Sequence, residues 1–291
     1  MTSVRNESPY LAEWIAWHKM IGYDHFLVYT NDNSDNTKEI LEKISRLGYL
    51  TWFELFPTAD EKPQILAFKR AMEWIHEKKP DWISCFDVDE FLNLKADSSI
   101  DGLVARHPKA DAIAINWKIF GSSHLTNKGM GLTPERFLWA AYDDFFEHRQ
   151  FKSLVRYHKD LVLIFHRAVY KNHVYDNLKY VYPNGVGLNK QIAGAFKPFN
   201  TINGDYYVDF SIAQLNHYAV RSLVEFQMKR KRGHGLELKS DTDIPDKKRD
   251  DNYWRKFNRN DVFDHSILNR LDEYVNFYKK LCQDADLPLS N

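Results

Sequence analysis

The sequence predicts an α/β fold with a mostly parallel central sheet, on three observations. Apolar strand patterns alternate with one-sided helical patterns through the first part of the chain. The helices between them are long enough to act as crossovers, which join parallel strands in right-handed units. Two acidic clusters, one after Thr30 and one after Phe86, both fall where a strand ends. Open α/β sheets hold their ligands at that edge.

The elements follow in order. Ser8 and Pro9 suit a helix start, and Leu11, Trp14, Ile15 and His18 form a helical stripe that stops at Gly22. HFLVYT, His25 to Thr30, reads as a buried strand running into the Asn- and Asp-rich loop NDNSDNT. Asn36, with Glu39 three residues on, has the spacing of a helix cap, and Ile40, Leu41, Ile44 and Leu47 line that helix before Gly48. Tyr49 to Phe53 is the next strand. Pro63 opens a helix with Ile65, Phe68, Met72 and Ile75 on one side, and Trp82 to Phe86 is a short apolar strand ending in DVDEF. Ala112 to Ile119 is a further strand after a short helix. Beyond it, Phe120 to Phe151 is rich in glycine and aromatics and reads as a loop or lid. Leu161 to Tyr170 and Ile212 to Tyr218 read as strands, Arg221 to Lys231 as a basic helix ending at Gly233, and residues 237 to 262 as polar and loosely patterned. Ile267, Leu271, Val275, Tyr278 and Leu281 form the face of a terminal helix.

Composition bounds the function. The chain has 291 residues, 44% hydrophobic and 27% charged, as expected of a globular domain with a full core. Lysine plus arginine and aspartate plus glutamate both number 40, so no global field favours nucleic acid or an anionic membrane, and recognition of a phosphorylated ligand must be local. Cys85 and Cys282 give neither a disulfide framework nor a zinc signature, which fits a reducing compartment. The N-terminus lacks the pattern of a signal peptide, and no run of about 20 apolar residues could span a bilayer. A cytoplasmic protein is expected, with peripheral membrane association allowed.

DVDEF carries the chemistry. Successive strand side chains point to opposite faces, so Asp87 and Asp89 share a side while Val88 points to the other. Two carboxylates so placed repel unless a cation lies between them, and Mn²⁺ or Mg²⁺ prefers oxygen ligands and bridges phosphates. An exposed acidic turn is the alternative. A phosphatase of the haloacid-dehalogenase type also carries paired aspartates, but on its first strand and without a residue like Phe91 at the second position after them.

Five blocks then stand together: R-N-E-S-P-Y-L-A-E-W-I-A-W-H from Arg5, G-Y-D-H-F-L-V-Y-T-N-D-N-S-D from Gly22, D-V-D-E-F, N-W-K-I-F-G-S-S from Asn116, and N-H-Y-A-V-R-S-L-V-E-F from Asn216 followed by K-R-K-R-G. In this order they resemble the family-92 glycosyltransferases and their family-2-like relatives. The resemblance covers most of the chain. It implies a GT-A fold: a Rossmann-like, mostly parallel central sheet with an acceptor-binding half and C-terminal helices. It also implies a UDP-sugar donor, Mn²⁺ (or Mg²⁺), and a glycan or other hydroxyl acceptor, as in polysaccharide biosynthesis. The corresponding domain plan is a glycosyltransferase domain over 1–235, its nucleotide-binding part about 1–120 and its acceptor part about 121–235, with a C-terminal helical extension over 236–291. One departure is that only Met1 to Val4 precede Arg5, where the family has a full apolar strand.

By position, the resemblance implies that Arg5, Asn6 and Glu7 flank the nucleotide, that Asn31 and Asp32 face the uridine or ribose, and that Asp87 and Asp89 take the metal and donor phosphates. It also makes His217 a third metal ligand, a residue that would otherwise read as a buried strand histidine. Lys229 and Arg232, three apart on the basic helix, are the better pair of cations for the diphosphate, with Lys152 a further candidate. Trp117, Phe120, Gly121 and Ser122 fall where such proteins meet the acceptor. For an inverting enzyme the base would come from Glu135, Asp144 or Glu147, with Asp176 an outsider. A nucleotidyltransferase would call for a glycine-rich phosphate loop that Arg5 to Pro9 lacks. A non-catalytic glycan- or nucleotide-binding scaffold on the same fold is the rival of a different class.

Overall fold

The structure, a computed structural model, describes residues 1–164, 166, 168–170, 179–188, 201–202, 205–233, 235–237 and 248–289. Among these, strands and helices alternate as predicted up to Trp82–Ser84, after which an unpredicted strand, Glu90–Leu94, precedes the helix Ile100–Ala105 and the strand Ala112–Ile119. Thr2–Val4, Phe26–Thr30 and Leu50–Glu54 form a three-stranded parallel sheet with Phe26–Thr30 in the middle. The short strand before Arg5 therefore exists and pairs in register, Thr2 opposite Val28 and Val4 opposite Thr30. All five residues of Phe26–Thr30 are buried, because the sheet is covered on both faces. Phe26 and Val28 point into the core around the first helix, and Leu27 and Tyr29 into the one beneath the helix Pro63–Lys78.

The larger sheet departs from the prediction. Its strands lie in the spatial order Trp82–Ser84, Phe151–Arg156, Ala112–Ile119, Ala213–His217, Glu90–Leu94, with Tyr180–Val181 beside Ala112 and Ile113. Only the pairings of Ala112–Ile119 with Ala213–His217 and with Tyr180–Val181 are parallel; the others are antiparallel. The reason lies in the connections. Parallel pairing needs a crossover, usually a helix, whereas the chain between Ile119 and Phe151 holds only the one-turn helix Thr133–Arg136, the short strand Trp139–Ala140 and a 3₁₀ turn at Phe146–Arg149. It returns antiparallel, Asn116 opposite Phe151. Phe120, Leu132, Phe137 and Ala140 of this stretch sit in the main core, so it is packed structure and not a lid. Leu161 to Tyr170, predicted as one strand, is two short antiparallel strands, Leu161–Leu163 and Ala168–Tyr170.

Helix details differ for similar reasons. The first helix, Leu11–Met20, is buried around its whole circumference from Leu11 to His18 and is not one-sided. Its indoles bond the strand Glu90–Leu94, Trp14 Nε1 to the Glu90 carbonyl at 2.9 Å and Trp17 Nε1 to the Leu92 carbonyl at 2.8 Å. The terminal helix, Leu271–Asp284, covers its other side: Tyr274 packs edge-on against Trp17, ring centroids 5.1 Å apart, and donates its hydroxyl to the Glu13 carbonyl. Pro63–Lys78 buries Pro63, Ala67, Ala71 and Ile75, and Ile65 is exposed. At the helix Thr37–Ser45, Asn36 makes no side-chain cap; the Asp35 carboxylate accepts from Thr37 N at 3.0 Å instead. No described helix is long and apolar enough to cross a membrane.

Candidate active site

The carboxyl end of the parallel sheet, the turn that follows Trp82–Ser84 and the end of the basic helix Leu223–Lys231 meet around a cleft of about 240 Å³. DVDEF is not a continuous strand. The strand stops at Ser84, Asp87 and Asp89 lie in a turn closed by Glu90 N to the Asp87 carbonyl at 2.9 Å, and Glu90 begins the next strand. The turn, and not strand alternation, brings both aspartates to the cleft.

Each aspartate carries a lysine. Lys152 Nζ, from the strand Phe151–Arg156, lies 3.0 Å from Asp87 Oδ2 and 3.2 Å from Glu90 Oε2. Lys229 pairs closely with Asp89 Oδ2 and also donates to the Ala219 carbonyl at 3.0 Å. Burial works against ionisation of both aspartates, but Lys152 holds Asp87 below its ordinary value, and Lys229, with His217 behind it, holds Asp89 well below. Burial pulls Lys229 down to about 8, still above neutrality, whereas it pushes the fully buried Glu90 carboxyl up to about 8. Glu90 Oε1 accepts from Trp117 Nε1 at 2.8 Å and Oε2 from Asp87 N at 2.7 Å, so this acid locks the turn. It belongs to the DVDEF signature itself, yet only the fold shows its carboxyl turned inward.

His217 ends the strand Ala213–His217, with Nε2 at 3.7 Å from Asp89 Oδ2 and Nδ1 buried without a hydrogen-bond partner. Its ring lies 4.3 Å from that of Trp117, and burial pushes it down despite Asp89. The expected divalent cation does not fit this donor set as arranged. One oxygen of each carboxylate is taken by an ammonium group, and among the described residues no three acidic, histidine or cysteine side chains group as a metal site.

The Arg5 to Glu7 loop forms the opposite wall. Arg232 pairs closely with Glu7 and donates to the carbonyls of Arg5 and Asn6 at 3.1 and 3.2 Å. Arg221, in the left-handed region at φ 55°, stacks 3.5 Å over the Tyr10 ring and donates to the Val88 carbonyl at 3.2 Å, tying this wall to the aspartate turn. Tyr10 and Arg221 both belong to the blocks that carry the family resemblance, yet only the fold shows that they touch. Asn6 faces away from the cleft: its side chain donates to Ser34 Oγ at 3.0 Å and accepts from Ser34 N at 2.8 Å. With Glu7 N on Thr37 Oγ1 at 2.9 Å and Ser8 N on Asp35 Oδ2 at 3.0 Å, the Asn-rich loop acts as a latch for the Arg5 loop. Asn31 lines the cleft and donates to Asp32, which does not line it.

The remaining expectations divide sharply. Of the acceptor set, only Trp117 lines the cleft. Phe120 is fully buried against Tyr218, and Ser122 N bonds Asn258 Oδ1 at 2.8 Å. A Cβ on Gly121 would fall 2.6 Å from the Arg259 carbonyl carbon, so the small residues of G-S-S admit the C-terminal segment and not a glycan. The base candidates also lie outside the cleft. Glu135 closes its own helical turn, accepting from Leu132 N at 2.6 Å; Glu147 pairs with Lys256 at 2.5 Å; Asp144 is exposed on the surface. Asp176 lies outside the described residues. The described lining carries five cations, Arg5, Lys152, Lys229, Arg232 and Arg249, against three carboxylates, Glu7, Asp87 and Asp89. A neutral chain thus concentrates positive charge in one cleft, and such a cleft attracts an anion.

Comparison with known proteins places this geometry among relatives. The model of "Glycosyltransferase family 92" matches residues 2–257. A family 92 protein of Arabidopsis thaliana is 26% identical over 137 residues, covering 43% of this chain and 23% of that protein. One from Oryza sativa subsp. japonica is 26% identical over 128 residues, covering 43% and 21%. The matches thus span less than a quarter of these relatives' own length. Among solved structures, S. aureus TarS 1–349 in complex with UDP is 16% identical, covering 46% of this chain and 37% of that one, at a TM-score of 0.31. S. aureus TarS, at 12% identity, covers 97% of this chain and 48% of its own at a TM-score of 0.37. Structural likeness this slight carries no weight for fold or ligand.

Proposed function

The chain belongs to glycosyltransferase family 92, and from that premise we propose that its cleft binds a UDP-sugar and transfers the sugar to a hydroxyl group of a glycan or similar acceptor. One observation carries the proposal. All five sequence blocks, distant along the chain, converge on one cationic cleft: Arg5 and Glu7, Asn31, Asp87 and Asp89, Trp117, and His217 with Lys229 and Arg232. Such a cleft suits the diphosphate of a nucleotide sugar, whose phosphates carry negative charge that strengthens as the sugar departs. We take the arrangement as a GT-A type, in which Asn31 and the Arg5 loop border the nucleoside and Trp117 borders the sugar.

In the transfer, the acceptor oxygen bonds to the anomeric carbon as the bond from that carbon to the β-phosphate oxygen breaks. The electron pair of the broken bond leaves with UDP, and the acceptor's hydroxyl proton passes to the medium. The chain's own part is to hold the diphosphate in line and to meet its growing charge with fixed cations. The aspartates hold those cations in place. A panel of UDP-sugars, assayed for UDP release with and without hydroxyl acceptors, tests this. Acceptor-dependent release is expected from the wild type, and Asp89→Asn is expected to lower it by about 100-fold, the usual scale for one preorganised charge contact. Equal release by wild type and Asp89→Asn would contradict the assignment.

A further inference from the structure

We propose that Lys152 and Lys229 do the work of a divalent cation in this cleft, so that the donor diphosphate is bound and its leaving charge neutralised without a metal. The inference rests on reading the cleft as a donor site. It starts from position: each ammonium group stands on one oxygen of the paired aspartates, Asp87 Oδ2 and Asp89 Oδ2. Both lysine side chains are deeply buried, 5% and 9% exposed, and both still line the cleft. They come from different elements, the strand Phe151–Arg156 and the helix Leu223–Lys231, so their convergence is a product of the fold.

Donor counting supports the role. An ammonium has three N–H donors. Lys152 spends two on Asp87 and Glu90, and Lys229 spends two on Asp89 and the Ala219 carbonyl. Each retains one for a ligand in the cleft. The aspartates then act as positioning residues, keeping two buried cations charged and oriented toward the cleft.

The charge balance agrees. Five cations and three carboxylates stand among the described lining residues, and a cationic cleft of this kind draws in an anionic diphosphate. A divalent ion would add two further positive charges beside two buried ammonium groups.

Isothermal titration of the full chain with UDP, in EDTA and again with saturating Mn²⁺, decides the matter. UDP is expected to bind in EDTA with an affinity within about threefold of that in Mn²⁺. Lys152→Gln and Lys229→Gln, each checked for native far-UV circular dichroism, should weaken UDP in EDTA by roughly tenfold or more, the scale of one charge-assisted hydrogen bond. Binding that appears only with Mn²⁺ would overturn the metal-free inference while leaving the donor site standing, and so would folded lysine variants that bind UDP like the wild type. No binding in either condition would overturn the donor reading and this inference with it. The EDTA and Mn²⁺ comparison needs only the wild type, so the test survives a variant that fails to fold.

Discussion

Replacing Glu225 by glutamine should loosen the helix that delivers Lys229. Glu225 accepts both Arg136 Nη atoms at 2.9 Å, the Tyr10 hydroxyl at 2.9 Å and the Ser222 hydroxyl at 2.5 Å, and with Ser222 it forms the capping box of Leu223–Lys231. The two charged side chains are 4% and 1% exposed. Burial opposes ionisation of Glu225, but the Arg136 guanidinium outweighs it and holds the carboxyl at about 2, against an ordinary 4.5. That difference corresponds to roughly 3 kcal/mol of stability at neutral pH. Removing one partner of a buried ion pair costs about 3–5 kcal/mol, which agrees. Glu225→Gln should therefore lower Tm at pH 7 by roughly 6–12 °C. Because the folded-state value is depressed, the contribution is complete above about 4.5 and disappears as pH falls through about 2. The gap between wild type and variant should narrow across that window in thermal melts followed by circular dichroism. Coincident melts at pH 7, or a gap that stays constant down to pH 2, would refute the reasoning.

Gly121→Ala should destabilise the fold by about 2 kcal/mol or more, read as a lower urea midpoint, since the new Cβ meets the Arg259 carbonyl group and Asn260 Oδ1; an unchanged midpoint would mean that the 258–260 segment is not pressed against this turn. Trp117→Phe removes the N–H that Glu90 Oε1 accepts at 2.8 Å. It should cost about 1–3 kcal/mol in the same urea assay while the fold persists, and no loss would mean that Glu90 does not depend on the indole.

Much of the fold's first half could be read from local pattern. Phe26–Thr30 and Leu50–Glu54 are short apolar runs bounded by polar turns, and Pro63 and Gly48 mark helix ends by backbone chemistry alone. The resemblance carried by the five blocks was likewise legible, and the family match over residues 2–257 bears it out. The antiparallel larger sheet was not legible. Its strands look like any others, and their direction is set by whether a helix long enough to cross over lies between them.

Partners were the other thing that sequence alone could not supply. Asp87 and Asp89 were expected to face one cation together, and the fold gives each its own, from residues 65 and 140 positions away. Asn6 reads like a ligand contact and is a latch on Ser34; Gly121 reads like room for a glycan and is filled by Arg259. In each case the residue order specifies which chemical groups are present and, at strand and helix ends, their local backbone geometry. What each group touches follows from the packed fold, because burial forces polar atoms to take the nearest partner that long-range packing provides.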